Sequence, residues 1–255
     1  MRLSVSLPCF YRELDFCEAI RRVHDLGFDA VETWDWKPLD LDRVRATCEE
    51  LGVAFAGFCT SDFRLTDPAA RDDWLRALED SARAAVRAGA GSLITQSGPD
   101  TGAPRAVQHE AIATTLRAAE SVLGEFGITL LLEPLNTRFD HPDTYLWSSA
   151  EGFELVRESE APHVKILFDL YHMQIMEGNL VPTLCDNLPL VGHLHAAGHP
   201  GRHDLPDGET NYPAVFRALD AAGYAGRCGL EYFPVGDSTE SLRACLRHLA
   251  EGRAR

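Results

Sequence analysis

Eight times along the chain a short apolar run is followed by a longer amphipathic stretch, and this alternation narrows the available folds more than any other feature. The runs Leu3–Cys9, Ala30–Trp34, Ala54–Cys59, Ser92–Gln96, Thr129–Glu133, Val164–Asp169, Val191–Ala196 and Cys228–Tyr232 are rich in β-formers and read as buried strands. The stretches Glu13–Leu26, Asp40–Leu51, Ala69–Ala88, Arg105–Phe126, Ser148–Glu158, His172–Cys185, Tyr212–Ala222 and Ser238–Glu251 carry the 3.6-residue period of helices. Eight βα pairs in 255 residues predict one (β/α)8 TIM barrel, a single domain over residues 1–255. An open doubly wound sheet alternates in the same way, but it favours a glycine-rich phosphate loop after the first strand, where this chain has SLPCFYRE. Gly27, Gly52, Gly89, Gly127 and Gly223 each follow a helical stretch, where a left-handed residue ends the helix. Asp40, Ser148 and Ser238 stand where an N-cap oxygen is useful.

Composition limits the partners. Hydrophobic residues make up 45% of the chain, enough for a full core, and the formal net charge is −15. Such a surface repels phosphate backbones, and no basic groove interrupts it, so nucleic acid is not an expected partner. Seven dispersed cysteines without a C-x-x-C pair read as reduced thiols. The opening MRLSVSLPCFYRELDF meets acidic residues too early for a secretory leader, and no apolar run approaches the ~18 residues of a membrane span. A soluble, cytoplasmic protein is expected.

Barrel enzymes collect their chemistry at the C-terminal ends of the strands. The last four strands end in LLLEP, ILFD, GHLHAA and CGLEYF, bringing Glu133, Asp169, His195 and Glu231 to that rim. Alternation along a strand turns Leu132, Phe168, Leu194 and Leu230 outward while these four face the axis. Three carboxylates gathered together repel, and a divalent cation at their centre reverses the balance. Carboxylates with one imidazole suit Mn2+, Mg2+ or Co2+ better than structural zinc, and an octahedral ion keeps two positions for adjacent oxygens of a hydroxy-carbonyl compound. A lone glutamate at a strand end is usually a solvated or ion-paired residue; four potential ligands on consecutive strands change that reading. His193 shares the inward face at a deeper level and suits support or packing. His172, one helical turn after Asp169, is either a substrate contact or a helix-start histidine. Arg202 matches a carboxylate or a polarised oxygen, while His199 and His203 crowd the same loop and divide between function and solvation. Glu32 and Arg138 are weaker candidates. Trp34, Trp36 and Phe63 suit a roof over the pocket or a contact between copies in a homo-oligomer. No Walker loop, nucleophile elbow or Ser/His/Asp spacing is present.

The segments LLLEPLNTR, FDLYHMQIMEGNL, GHPGRHDLPDGETNYPAVF and LDAAGYAGRCGLEY, with the opening VSLPCFYRELDF, resemble the xylose-isomerase-like barrel superfamily and within it the hydroxypyruvate isomerase family. FDLYHMQIMEG is long and specific, whereas EPLN is shared across sugar epimerases and isomerases. The resemblance implies aldose–ketose isomerisation of a small hydroxy-oxo acid, with no nucleotide cofactor. The reaction expected on such a site is hydroxypyruvate to tartronate semialdehyde, through a cis-enediolate. The resemblance also implies metal ligation by Glu133, Asp169, His195 and Glu231, an acid/base pair of Glu133 and Glu231, and substrate contacts from His172 and Arg202. In the expected mechanism Arg202 or Arg138 holds the substrate carboxylate. Hydroxypyruvate isomerases often carry Gln where this chain has His195, and ketose 3-epimerases carry His, so a ketose 3-epimerase or a 2-oxo-tetronate isomerase stays open. A phosphodiesterase like the apurinic endonucleases would need further histidines on earlier strands, where FCTSD and TQS stand instead. A non-catalytic scaffold barrel is the remaining alternative.

Overall fold

A computed structural model describes residues 1–251, and within them the expected alternation closes into a parallel barrel. Its strands are β1 (Arg2–Ser6), β2 (Ala30–Glu32), β3 (Ala54–Phe55 and Gly57–Cys59), β4 (Ser92–Gln96), β5 (Thr129–Glu133), β6 (Val164–Asp169), β7 (Val191–Ala196) and β8 (Arg227–Leu230). Every pairing is parallel, and β8 pairs with β1 from Arg2↔Arg227 to Val5↔Leu230. Nine hydrogen-bonded segments thus make eight staves, because β3 comes in two pieces. Its first piece pairs with β2 and its second with β4. At the break, Ser92 Oγ donates to the Ala56 carbonyl at 2.7 Å, and a Cβ on Gly57 would strike Ser92. Chain continuity through Ala56 completes the ring.

The helices are α1 (Phe16–Asp25), α2 (Leu41–Leu51), α3 (Arg71–Ala88), α4 (Arg105–Phe126), α5 (Ser149–Ser159), α6 (Leu170–Met176), α7 (Leu180–Asn187), α8 (Tyr212–Ala221) and α9 (Ser238–Glu251). All five glycines expected after helices have positive φ. Asp40 caps α2 through Arg43 N. Ser148 holds the extended N-cap backbone of α5 without a side-chain bond. At α9 the cap is Asp237, which accepts from Glu240 N at 3.0 Å, and Ser238 is already helical.

Among the boundaries that differ from expectation, three have clear local reasons. The first strand stops at Ser6, because Pro8 has no N–H to continue the ladder and Leu7–Cys9 tighten into a 3-10 turn. The stretch expected as one helix over His172–Cys185 is α6 and α7, divided where Gly178 and Asn179 take left-handed φ of 65° and 50°. The last strand ends at Leu230, yet Glu231 N still donates to Ala196 O at 3.1 Å, so Glu231 keeps the strand's alignment.

Two apolar layers hold the barrel. Leu132, Phe168, Leu194 and Leu230 join the helices in the main core, with Phe168 stacked on Phe153 of α5 at 6.3 Å. A small inner cluster of Ile94, Leu131 and Leu167, with Cys59 against it, fills part of the barrel axis. Alternation therefore holds as expected: Leu131 and Leu167 face inward, two residues before Glu133 and Asp169. Truncating a buried phenylalanine between layers removes transfer energy and leaves a cavity. Phe168→Ala should therefore cost about 3–5 kcal/mol, read as a lower urea midpoint with an unchanged slope.

Candidate metal centre and its cavity

The four expected strand-end residues meet. One ligand atom each from Glu133, Asp169, His195 and Glu231 lies within 4.8 Å of the others, and all four side chains are buried. Glu133 and Asp169 end β5 and β6, His195 is the penultimate residue of β7, and Glu231 follows β8. Asp169 divides its carboxylate: Oδ1 accepts from Tyr171 N at 2.8 Å and His172 N at 3.4 Å, capping α6. Its Oδ2 is left facing the centre. Glu231 is held on both oxygens, by Trp34 Nε1–H and by the Arg202 guanidinium. His195 turns Nδ1 toward the centre, 3.2 Å from Glu231 Oε2 and 3.8 Å from Glu133 Oε1.

Glu133 Oε1, Asp169 Oδ2, His195 Nδ1 and His172 Nε2 are all buried without a hydrogen-bond partner. Each such group costs roughly 1–3 kcal/mol, so a group bound where they converge would be stabilised by satisfying several of them at once. Three carboxylate oxygens and one imidazole nitrogen form a donor set that fits a hard divalent cation.

The charges report the same crowding. Burial lifts Glu133 to about 8, with Glu231 and Asp169 adding repulsion and His195 and Arg202 offsetting part of it. Asp169 is also raised, chiefly by burial. For Glu231 burial acts upward, but His195 and Arg202 outweigh it and hold the carboxyl below its usual range. For His195 burial acts downward and is outweighed by Glu231 and Glu32, so the imidazolium is held well above its ordinary value.

His172 lies fully buried beside this centre, with Nε2 3.4 Å from Asp169 Oδ2. Its tautomer follows from Asn136. Phe139 N and Asp140 N both donate to Asn136 Oδ1, so Nδ2 must face the other way. There it donates to Asp140 Oδ2 and to His172 Nδ1, each at 2.6 Å. The proton of neutral His172 therefore sits on Nε2, pointing into the site, and burial followed by Arg202 and His141 keeps the ring neutral. Asn136 belongs to the EPLN motif, but nothing in the motif alone names the histidine it orients.

A cavity of about 470 Å3 opens above the centre. Glu133, Glu231, His195, His172 and Arg202 line it with Trp34, Trp36 and Phe63. Lys37, Gln96 and His141 also line it, and none of these three had been singled out from the sequence. Arg202 is 13% exposed and engaged with Glu231 and Asp169. Its φ of 58° is unusual for a residue with a side chain, following Gly201 at 93°. The other loop candidates lie elsewhere. Arg138 is exposed and does not line the cavity. His199 packs against the rings of Phe139 and Tyr171, outside the lining. His203 is exposed and bonds the Phe233 carbonyl through Nδ1 at 2.9 Å, which ties down the loop. Among the described residues no helix is long and apolar enough to cross a membrane.

A parallel barrel with a carboxylate–imidazole cluster at the C-terminal rim and a walled cavity above it defines a class of barrel enzymes acting on small molecules. The sequence profile of the xylose isomerase-like TIM barrel family matches residues 20–251, and the chain belongs to that family. It is 28% identical to the hydroxypyruvate isomerase of Escherichia coli, over 95% of this chain and 97% of that protein. To the 2-oxo-tetronate isomerase of Cupriavidus necator it is 40% identical over 116 residues, 46% of this chain and 44% of that protein. Among solved structures, an AP endonuclease of family 2 from Brucella melitensis superposes with a TM-score of 0.91 at 28% identity, covering 96% of this chain and 98% of that one. The 3-keto-D-glucoside 4-epimerase of E. coli superposes with a TM-score of 0.85 at 26% identity over the whole of both chains. The chain is thus an enzyme of isomerase type.

A cation entering this centre must displace protons from Glu133 and His195, both held above their ordinary values. Affinity for Mn2+ should accordingly rise with pH between about pH 6 and pH 8, on the order of tenfold per unit for each proton displaced. Calorimetric titrations in buffers of different ionisation enthalpy check this; an affinity and a proton count that stay flat across that window would contradict it.

Proposed function

We propose that this chain is a divalent-metal-dependent isomerase of a small hydroxy-oxo acid, with hydroxypyruvate and tartronate semialdehyde as the first substrate pair to test. The observation that carries the reading is the convergence of three unpartnered ligand atoms, on Glu133, Asp169 and His195, beside Glu231 at the floor of the cavity. Glu133, Asp169, His195 and Glu231 would hold the ion. A divalent cation there supplies Lewis-acid stabilisation of the negative charge that develops on two adjacent substrate oxygens.

The chain's own residues supply the rest. Glu133 and Glu231 flank the cavity floor and form the acid/base pair. One takes a proton from C3 of hydroxypyruvate, leaving a cis-enediolate, and the other returns a proton to C2. The hydroxyl proton passes from O3 to O2, so no external oxidant or reductant enters. Their positions at the ends of β5 and β8 give proximity without a mobile element. His172 donates its Nε2 proton to a substrate oxygen, oriented by Asn136. Arg202 is occupied by two carboxylates and Arg138 lies off the cavity, so Lys37 is the better anchor for a substrate carboxylate. Trp34, Trp36 and Phe63 wall the cavity and keep water from the enediolate.

A second reading, a 2-oxo-tetronate isomerase or ketose epimerase using the same centre, is favoured by the cavity's size. About 470 Å3 with aromatic walls leaves room well beyond three carbons. A phosphodiesterase is less well supported: among the described residues the two candidate ligand clusters share His195, and Cys59, Thr60 and Gln96 occupy the rim at β3 and β4.

Incubation with hydroxypyruvate, a 2-oxo-tetronate and a ketohexose, each with Mn2+ and with chelator, separates the readings. Interconversion of one acid, lost in chelator, supports the proposal, and full turnover in chelator contradicts it. Glu133→Gln and Glu231→Gln should each lower kcat by about 10^2–10^4, with circular dichroism and melting cooperativity retained. Near-wild-type turnover in either purified variant would refute the two-glutamate scheme. Lys37→Met should raise KM for an acid substrate roughly tenfold and leave a neutral ketose unaffected.

A further inference from the structure

Beneath the centre lies a second group of polar side chains that the proposed chemistry does not use: Glu32, His193 and Ser4, all buried inside the barrel. Glu32 Oε1 accepts from Ser4 Oγ at 2.7 Å. Glu32 Oε2 accepts from His193 Nε2 at 3.2 Å and from His195 Nε2 at 3.1 Å. His195 is common to both levels, with Nε2 turned down to Glu32 and Nδ1 turned up among Glu133 and Glu231.

The two levels differ in one respect that assigns their roles. Buried atoms without hydrogen-bond partners occur on Glu133, Asp169 and His195 Nδ1 above, and none is on Glu32 or His193 below. The lower group, although its atoms lie close enough for a cation, is already satisfied by its own protons. It is a hydrogen-bonded support rather than a second ion site.

When the His195 imidazolium gives up one proton to admit an ion, the proton that stays can sit on either nitrogen, and only the other nitrogen offers a lone pair. Glu231 Oε2, 3.2 Å from Nδ1, competes to hold the proton on the upper side, which would hide the ligand atom. We infer that Glu32 is a positioning residue for the metal centre: by accepting the Nε2 proton of His195 it fixes the tautomer and ring orientation that present Nδ1 to the ion, with Ser4 and His193 holding Glu32 in place. Carboxylates behind ligating histidines act in this way generally. The inference rests on the reading of the upper cluster as a cation site.

Gly229 supplies independent evidence that this contact is built for. It lies on β8 beneath Glu231, and its φ is not in the left-handed region, so its backbone does not require glycine. A Cβ there would collide with the Glu32 carboxylate and lie 2.7 Å from His195 Cδ2. The missing side chain is what lets Glu32 and His195 meet.

The test is cation binding, separate from turnover. Purified wild-type protein, Glu32→Gln and Gly229→Ala are titrated with Mn2+ by calorimetry and with Co2+ by visible absorption, and the imidazole nitrogens of His195 are followed by 15N NMR in the metal-free and Zn2+-loaded forms. Wild type should bind one ion, with the Zn2+-loaded His195 protonated at Nε2. Both variants, folded by circular dichroism, should bind about 10–100-fold more weakly. Both should also alter the Co2+ spectrum, which a loss of stability alone would not do. Gly229→Ala reaches the same endpoint without altering a polar group, so the inference stays testable if Glu32→Gln fails to fold. Unchanged affinity and spectra in the folded variants, or two ions per wild-type chain, would overturn the role of Glu32 and leave the upper site standing. Wild type that binds no ion would overturn both.

Discussion

Mutual repulsion among Glu133, Asp169 and Glu231 is the constraint to which the C-terminal end of this barrel answers. Buried carboxylates this close cannot all ionise without positive charge among them, and burial with the repulsion of Glu231 and Asp169, partly offset by His195 and Arg202, lifts Glu133 to about 8. The chain supplies part of the balance through Arg202 and His195, which bring Glu231 below its usual range. The remainder is left as unpartnered oxygens, among which the proposed cation would fit. Much of the surrounding architecture serves this arrangement: Asp169 gives one oxygen to cap α6, Trp34 steadies Glu231, and Arg202 takes a strained backbone to reach in.

Rigidity explains why the barrel can sustain such a concentration of charge. The ligand atoms stand on β5, β6 and β7 and just past β8, whose outward residues are locked into the helical layer, Phe168 against Phe153 among them. Splaying the carboxylates apart would require moving staves whose backbones are paired on both sides. Repulsion therefore appears as shifted protonation and open ligand positions rather than as movement.

Where periodicity carries the information, the chain was readable. The strands at Ser92–Gln96, Thr129–Glu133, Val164–Asp169 and Val191–Ala196 have the bounds expected from their apolar runs, and alternation within three of them turned Glu133, Asp169 and His195 inward. Boundaries set by a single residue were harder: Pro8 ends β1 early, and Gly178 with Asn179 divides one amphipathic stretch into two helices without disturbing its period. The cavity was less legible still. Lys37, Gln96 and His141 reach it from different loops and strand ends, and only the closed ring brings those positions together. Arg138 and His199 carried suitable chemistry in suitable loops, yet one faces solvent and the other packs between rings. Side-chain type states what a residue could do; the path of the loop decides whether it arrives.

The ion pair between Arg202 and Glu231 has a consequence for how charge can enter and leave the mouth of the barrel. A guanidinium supplied by the chain sits against two of the acidic groups, Asp169 and Glu231, so part of their repulsion is met by the fold itself. A cation of the kind proposed would therefore arrive as a partner in an exchange of counter-charges, not as the sole source of positive charge. The loop that carries Arg202 is a counterweight as much as a wall.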